Sequence, residues 1–344
     1  MALFLPYKKY KDVAFARLKP QYVADMETIQ NQDPELNPDR FQQYHAAPPY
    51  VVVGQPIEEI PPTNGTKFKQ AMGYLLSYFG YTIVGALLML GPAAILYGIT
   101  SSGATAETLV LVGSQFAPLY VFWKRKTCDF SWINTPNIVK LLLWVVAAWL
   151  GRLCFTLFFG EVYTIAGIDI DSQAGMLERG FIPLSMLAVC VLAPLSEECL
   201  FRGMIERKLL ETNWNPWYAI VISSLLFALL HMDPFVSLIT FISGLLMGWI
   251  YYRTRNIWLT IFMHAFNNTF ASVMDLLGDN FDDMPAPDEP FYFYVLLLVA
   301  GLVFVYVSCR EIGKIAARDE QLAALNERTN HDDASFNRPF GLSN

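Results

Sequence analysis

Residues 180–203 read GFIPLSMLAVCVLAPLSEECLFRG. No charge interrupts the run from Phe181 to Ser196. It then ends on two adjacent glutamates, Glu197 and Glu198, with Arg202 four residues beyond the second. An uncharged apolar run of this length is membrane-helix material. Ionisable groups at membrane depth are costly, and they face a bundle interior or a water-filled cavity. Glu198 and Arg202, four apart, share one helix face and can form an ion pair. Glu197 lies roughly 100° around the helix from Glu198, which leaves its carboxylate for another partner.

The rest of the chain has the same character. Of 344 residues, 54% are apolar and only 16% are charged, against about a quarter charged in soluble domains. Apolar segments near 71–99, 104–123, 137–160, 181–205, 216–231, 235–252, 257–275 and 291–309 approach the ~20 residues a membrane helix needs. The second and fifth are the weakest. The connections support the count. Basic residues occur at Lys67 and Lys69, at Lys124–Lys126, at Arg207 and Lys208, at Arg253 and Arg255, and at Arg310, Lys314 and Arg318. The intervening loops are uncharged, short or mainly acidic. By the positive-inside rule, both termini and the even-numbered loops are cytoplasmic. The expected fold class is therefore all-α, a polytopic membrane helix bundle of about eight transmembrane helices. An integral multi-pass protein of the plasma membrane is expected.

Residues 1–70 form a polar, proline-containing cytoplasmic tail, 71–179 the N-terminal transmembrane helices, 276–310 an acidic loop and last transmembrane helix, and 311–344 a C-terminal tail. The five cysteines lie mostly in apolar runs with no CxxC pair, so neither a disulfide framework nor a zinc knuckle is expected. No basic stretch followed by a short apolar run opens the chain, so no cleaved signal peptide is expected.

Two of the four histidines sit too deep to be incidental. His231 ends the run WYAIVISSLLFALLH, and His264 lies within IWLTIFMHAFNNTFASVM. One buried histidine alone is more often packing glue between helices than a catalyst. The positions of the set point further. The fourth and fifth segments form a hairpin about residue 214, with Glu197 and His231 each 17 residues from it. In an antiparallel pair both lie at similar depth, roughly 20–25 Å from the turn. His264 and Asn268, four apart, follow about two to four turns into the seventh segment. Phe227 and His231 repeat that spacing, so the phenyl ring can pack beside the imidazole.

Glu, His, His and Asn in a dry cavity suit peptide hydrolysis by activated water. A glutamate drawn partly out of water is a better base near neutrality, and a histidine can share the proton. Two further donors would stabilise the tetrahedral oxyanion. No Ser or Cys stands in a nucleophile setting, so a covalent route is not expected.

EECLFR at 197–202, FALLH at 227–231 and HAFNN at 264–268 match EExxxR, FxxxH and HxxxN. In that order and on successive membrane helices, they resemble the CPBP intramembrane proteases, also called the Abi or CAAX-protease family, whose eukaryotic members are type II CAAX prenyl endopeptidases. The likeness covers 180–275, the expected catalytic core. It implies that Glu197 and His231 activate water, that His264 and Asn268 form the oxyanion site, and that Glu198 and Arg202 hold the helix in place. It implies no cofactor, with a zinc-dependent mechanism as the alternative, since two His and a Glu can bind zinc. HExxH is absent. The implied partners are a peptide or protein substrate at the membrane and the lipid bilayer, with no nucleic acid. The substrate classes are CAAX-type tails, bacteriocin or pheromone peptides, or membrane-protein segments.

A non-catalytic scaffold or self-immunity protein of the same fold stays open. A transporter is less well matched, lacking an internal repeat or paired broken helices. Arg152, inside WLGRLCF, is expected to snorkel or to pair with an acid on a neighbouring helix. SGLLMG at 243–248 is expected to let the sixth helix pack closely.

Overall fold

The computed structural model describes residues 62–128, 130, 137–168, 181–278 and 289–336. The expectations for most of the N-terminal tail and for the acidic loop therefore lie outside the described residues. Among those described there are eight helices and no strand: α1 (Asn64–Thr100), α2 (Gly103–Lys124), α3 (Ile138–Ile165), α4 (Ile182–Leu210), α5 (Pro216–Leu229), α6 (Pro234–Thr254), α7 (Ile257–Gly278) and α8 (Phe291–Phe336). All eight expected segments are present. Five of them (α1, α3, α4, α6 and α8) are long and apolar enough to cross a membrane. The chain is an integral, multi-pass membrane protein.

Three boundaries differ from those read in the sequence. α1 starts at Asn64 instead of 71, because the Thr63 side chain caps it by accepting the Thr66 N–H at 3.2 Å. α8 runs on to Phe336 and takes in most of the expected C-terminal tail. α5 stops at Leu229, so His231 sits in the turn after the helix. That turn uses a left-handed Met232 (φ 55°), and Asp233 caps α6 by accepting the Val236 N–H at 2.7 Å.

Contacts between helix ends follow the alternation of charge in the loops. At the basic face, Asn64 Oδ1 accepts the Asn213 N–H at 3.0 Å, and Lys67 donates to the Glu211 carbonyl. On the same face Asn137 donates to Asp319 (2.8 Å), Trp258 to the Phe130 carbonyl (3.0 Å) and Arg253 to the Gly313 carbonyl (3.4 Å). At the other face the Phe181 N–H meets Thr105 Oγ1 at 3.1 Å. The start of α1, the even-numbered loops and the early C-terminal segment thus share one side, which the positive-inside rule makes cytoplasmic.

α4 is the centre. Over half of its apolar window (56%) is buried by other helices, against 11% for α1 and α8, whose exposed leucines and isoleucines suit a lipid-facing surface. α1, α2, α5, α6 and α7 all touch α4, while α8 packs along α3. Two stretches of α4, Leu187–Leu192 and Cys199–Glu206, are wound as wider π-turns. The first precedes Pro194, whose ring opposes a regular i→i−4 ladder, and there the Ala193 N–H reaches back five residues to Ala188. The second carries Arg202. Wide turns of this kind inside helices often mark functional sites.

The small residues of SGLLMG do bring α6 close. A side chain at Gly244 would place its Cβ 2.9 Å from Ser224 Cβ, and one at Gly248 would meet Glu206 Oε2 at 2.7 Å and Ile220 at 3.1 Å. Gly248→Val therefore overpacks the α4–α5–α6 contact. It should cost about 1–3 kcal/mol and lower the melting temperature of the detergent-solubilised protein. An unchanged melting temperature would show that α6 has room to move away.

Candidate active site

The second π-turn of α4 presents a buried polar knot. Glu198 Oε1 accepts from Arg202 Nη1 at 3.0 Å and from His264 Nδ1 at 2.9 Å. Glu198 and Arg202 are fully buried, and His264 is nearly so. Arg202 also donates through Nη2 to the Gly244 carbonyl at 3.2 Å, and its guanidinium lies 4.8 Å from the centre of the Phe227 ring. The i,i+4 pair read from the sequence is present, but it does more than hold one helix. Through these contacts it joins α4 to α5, α6 and α7.

Glu197 points elsewhere, with its side chain 19% exposed. Its nearest charged-type neighbour is His264, whose Nε2 lies 3.9 Å from Glu197 Oε2. That is beyond hydrogen-bond length and within the reach of one bridging water. His264 is thus oriented at one nitrogen by Glu198 and faces Glu197 with the other. An ionised Glu198 has only lone pairs to offer, so the hydrogen in its bond with His264 must sit on Nδ1.

His231 packs against Phe227. The Phe227 ring makes edge contacts with both imidazoles, at centroid distances of 5.3 Å to His231 and 5.6 Å to His264. His231 Nδ1 is 3.2 Å from the Phe227 carbonyl. The packing expected of Phe227 against His231 is there, and it extends to His264.

A cavity of about 230 Å³ opens between α3, α5, α6 and α7. His231, His264 and Asn268 line it, together with Phe227, Arg152 and Asn267. Glu197 is not part of its wall. Of the four residues expected to share one chamber, three line it, and the fourth meets it at His264. The reason is helical offset: the two glutamates are adjacent in the regular stretch Ala193–Glu198, about 100° apart around the axis, so Glu198 bonds Nδ1 of His264 while Glu197 faces Nε2 of the same ring.

Asn268 donates to the Val189 carbonyl at 2.9 Å, inside the first π-turn of α4, and accepts from Asn267 Nδ2 at 3.3 Å. Asn267 Oδ1 in turn accepts from Arg152 Nη1 at 2.6 Å and from Trp149 Nε1 at 3.2 Å. Arg152 donates through Nε to Ser243 Oγ at 2.8 Å. The expectation for Arg152 fails among the described residues: it is buried instead of reaching the interface, and its partners there are neutral. The sequence reading passed over Asn267 and Arg152 as site residues. Two signals were available: the doubled asparagine at 267–268, and the only Arg inside the α3 apolar run.

Among the described residues, no three His, Cys, Asp or Glu side chains gather closely enough to hold a metal ion. Nδ1 of each cavity histidine is held, by Glu198 and by the Phe227 carbonyl, which leaves each Nε2 as the open nitrogen. The described side chains therefore do not supply the three protein ligands that a catalytic zinc requires.

Comparison with known proteins finds the same region. Residues 179–270 match the family described as Type II CAAX prenyl endopeptidase Rce1-like. All three sequence motifs fall inside that span, and the likeness read from them to the CPBP proteases holds there. A curated protein of Bacillus subtilis (strain 168), "Putative membrane peptidase YdiL", is 32% identical over 139 residues, which cover 39% of this chain and 57% of that protein. The chain thus spans just over half the length of that relative. No solved structure matches.

Proposed function

We propose that this chain is an intramembrane endopeptidase that hydrolyses peptide bonds of membrane-associated or lipidated substrates with activated water. One observation carries the reading: Glu197 stands 3.9 Å from His264, beside a cavity that also holds His231 and Asn268. Glu197 takes a proton from the water as the water oxygen bonds to the carbonyl carbon, His231 shares that proton, and it passes to the amine that leaves as the C–N bond breaks. Asn268 and His264, the latter with a hydrogen on Nε2 as well as on Nδ1, donate to the carbonyl oxygen as charge develops on it, and apolar walls strengthen those interactions by excluding water. Glu198 and Arg202 are positioning residues that set the His264 ring. The type II CAAX prenyl endopeptidase likeness of residues 179–270 favours carboxy-terminal CAAX-type tails as substrates.

One distance favours a second division of labour between the histidines. His264 Nε2 is the ring nitrogen facing Glu197, whereas His231 Nδ1 is bonded to the Phe227 carbonyl. In this version His264 shares the water's proton, and His231 with Asn268 completes the oxyanion side.

The test is cleavage of lipidated peptides by the purified chain in proteoliposomes, with new termini read by mass spectrometry. Either histidine changed to Gln should lower kcat by about 100-fold or more. The proton-sharing histidine should also lose the acidic limb of the pH–rate profile. Activity should survive chelators. Full activity in both variants would sink the hydrolytic mechanism. Chelator inhibition reversed by zinc would sink its metal-free form. A chain that cuts nothing would instead be a scaffold or immunity protein of this fold.

A further inference from the structure

Among the described residues Arg152 makes no ion pair. It is 9% exposed, in a helix long and apolar enough to cross a membrane. Placing a guanidinium there is costly, and such residues usually serve a pathway or a ligand. Its hydrogen-bond partners, Asn267 Oδ1 and Ser243 Oγ, are both neutral. Among the described residues no carboxylate lies within ion-pair distance of it. The other buried arginine of the core, Arg202, is neutralised by Glu198 at 3.0 Å. Arg152 therefore carries a charge into the cavity that no nearby acid balances.

Two bonds fix the plane of that guanidinium. Ser243 holds Nε and Asn267 holds Nη1. Among the described residues Nη2 has no hydrogen-bond partner, and it is not a fully buried orphan, so it remains accessible. A held guanidinium with one open nitrogen suits an anionic ligand through a charge-assisted hydrogen bond, and the anion that an ordinary peptide carries is a carboxylate. The same residue connects to the proposed oxyanion side through Asn267 Nδ2 and Asn268 Oδ1. An anion bound at Arg152 would lie along the cavity from the reacting carbonyl.

We infer that Arg152 is a specificity-determining residue that binds a carboxylate of the substrate peptide, placed a short distance along the chain from the bond to be cut. The carboxylate can be the free chain end or an Asp or Glu side chain near it. The inference rests on the peptidase reading and adds a substrate requirement to it. Arg152 lies on α3, outside the span matched by the endopeptidase family.

The experiment uses the full chain in proteoliposomes and a set of N-terminally lipidated peptides. Each peptide is made with a free carboxylate end and as the carboxamide, and each of those with and without one acidic residue. Wild type should favour carboxylate-bearing peptides by about 10- to 100-fold in kcat/KM, mostly through KM. Arg152→Gln should erase that ratio, and Arg152→Lys should keep part of it. Preference for free acids over amides assigns the chain end. Preference that follows the internal acidic residue assigns the side chain.

Equal cleavage of all series by wild type overturns the inference and leaves the peptidase reading standing. So does a ratio that survives Arg152→Gln. Absence of any cleavage that depends on Glu197 overturns the peptidase reading, and the inference falls with it. Should Arg152→Gln fail to fold, the wild-type ratio and its size in Arg152→Lys decide the matter.

Discussion

Glu197→Gln is expected to lower kcat by about 100- to 10,000-fold while leaving the melting temperature of the purified protein almost unchanged. The substitution keeps the shape of the side chain and removes its capacity to accept a proton from water. Little structure depends on that carboxylate, because its nearest partner of opposite type is 3.9 Å away and not hydrogen-bonded. Loss of rate and retention of stability should therefore separate cleanly. The measurement pairs single-turnover cleavage in proteoliposomes with thermal unfolding in detergent. Full activity would assign the base elsewhere. A large drop in melting temperature would make Glu197 a packing residue.

Arg202→Met should do the reverse first, destabilising the protein by about 3–5 kcal/mol. Removing the guanidinium leaves Glu198 as a buried carboxylate held only by His264, and it leaves the Gly244 carbonyl without its donor. Arg202→Lys should not restore stability. A point charge on a flexible stem cannot bond Glu198 and Gly244 together while lying over Phe227. The double variant Glu198→Leu with Arg202→Met should recover part of the loss, because an apolar pair needs no charge compensation. Its activity should stay low, since His264 would then lack its Nδ1 partner. Expression, melting temperature and cleavage rate of the three variants check this. Equal melting temperatures for Arg202→Met and wild type would overturn it.

Much of this was legible one helix at a time. The apolar runs located all eight helices, and the alternation of basic loops predicted which connections share a face. Glu198 and Arg202 could be paired on paper because a separation of four residues fixes their geometry within a single helix. Asp233 and Thr63, each three residues before the N–H it accepts, are capping residues of the same local kind. The end of α5 was misplaced because LFALLH stays apolar up to the histidine, while the turn itself is set by Met232 and Asp233.

Local periodicity does not encode which residues meet between helices. The sequence by itself determined a membrane helix bundle, its alternating loops, and a short set of residues too polar for their depth. It did so because hydrophobic length, charge and i,i+4 spacing act within one segment. Only the tertiary structure decided that Glu198 would bond His264, that Glu197 would face the same ring, and that Arg152 would line the cavity beside Asn267. Those partnerships depend on how deep α7 starts against α4 and how closely Gly244 and Gly248 let α6 approach. A π-turn or a missing Cβ shifts such distances by ångströms without changing the apolar pattern from which the helices were read.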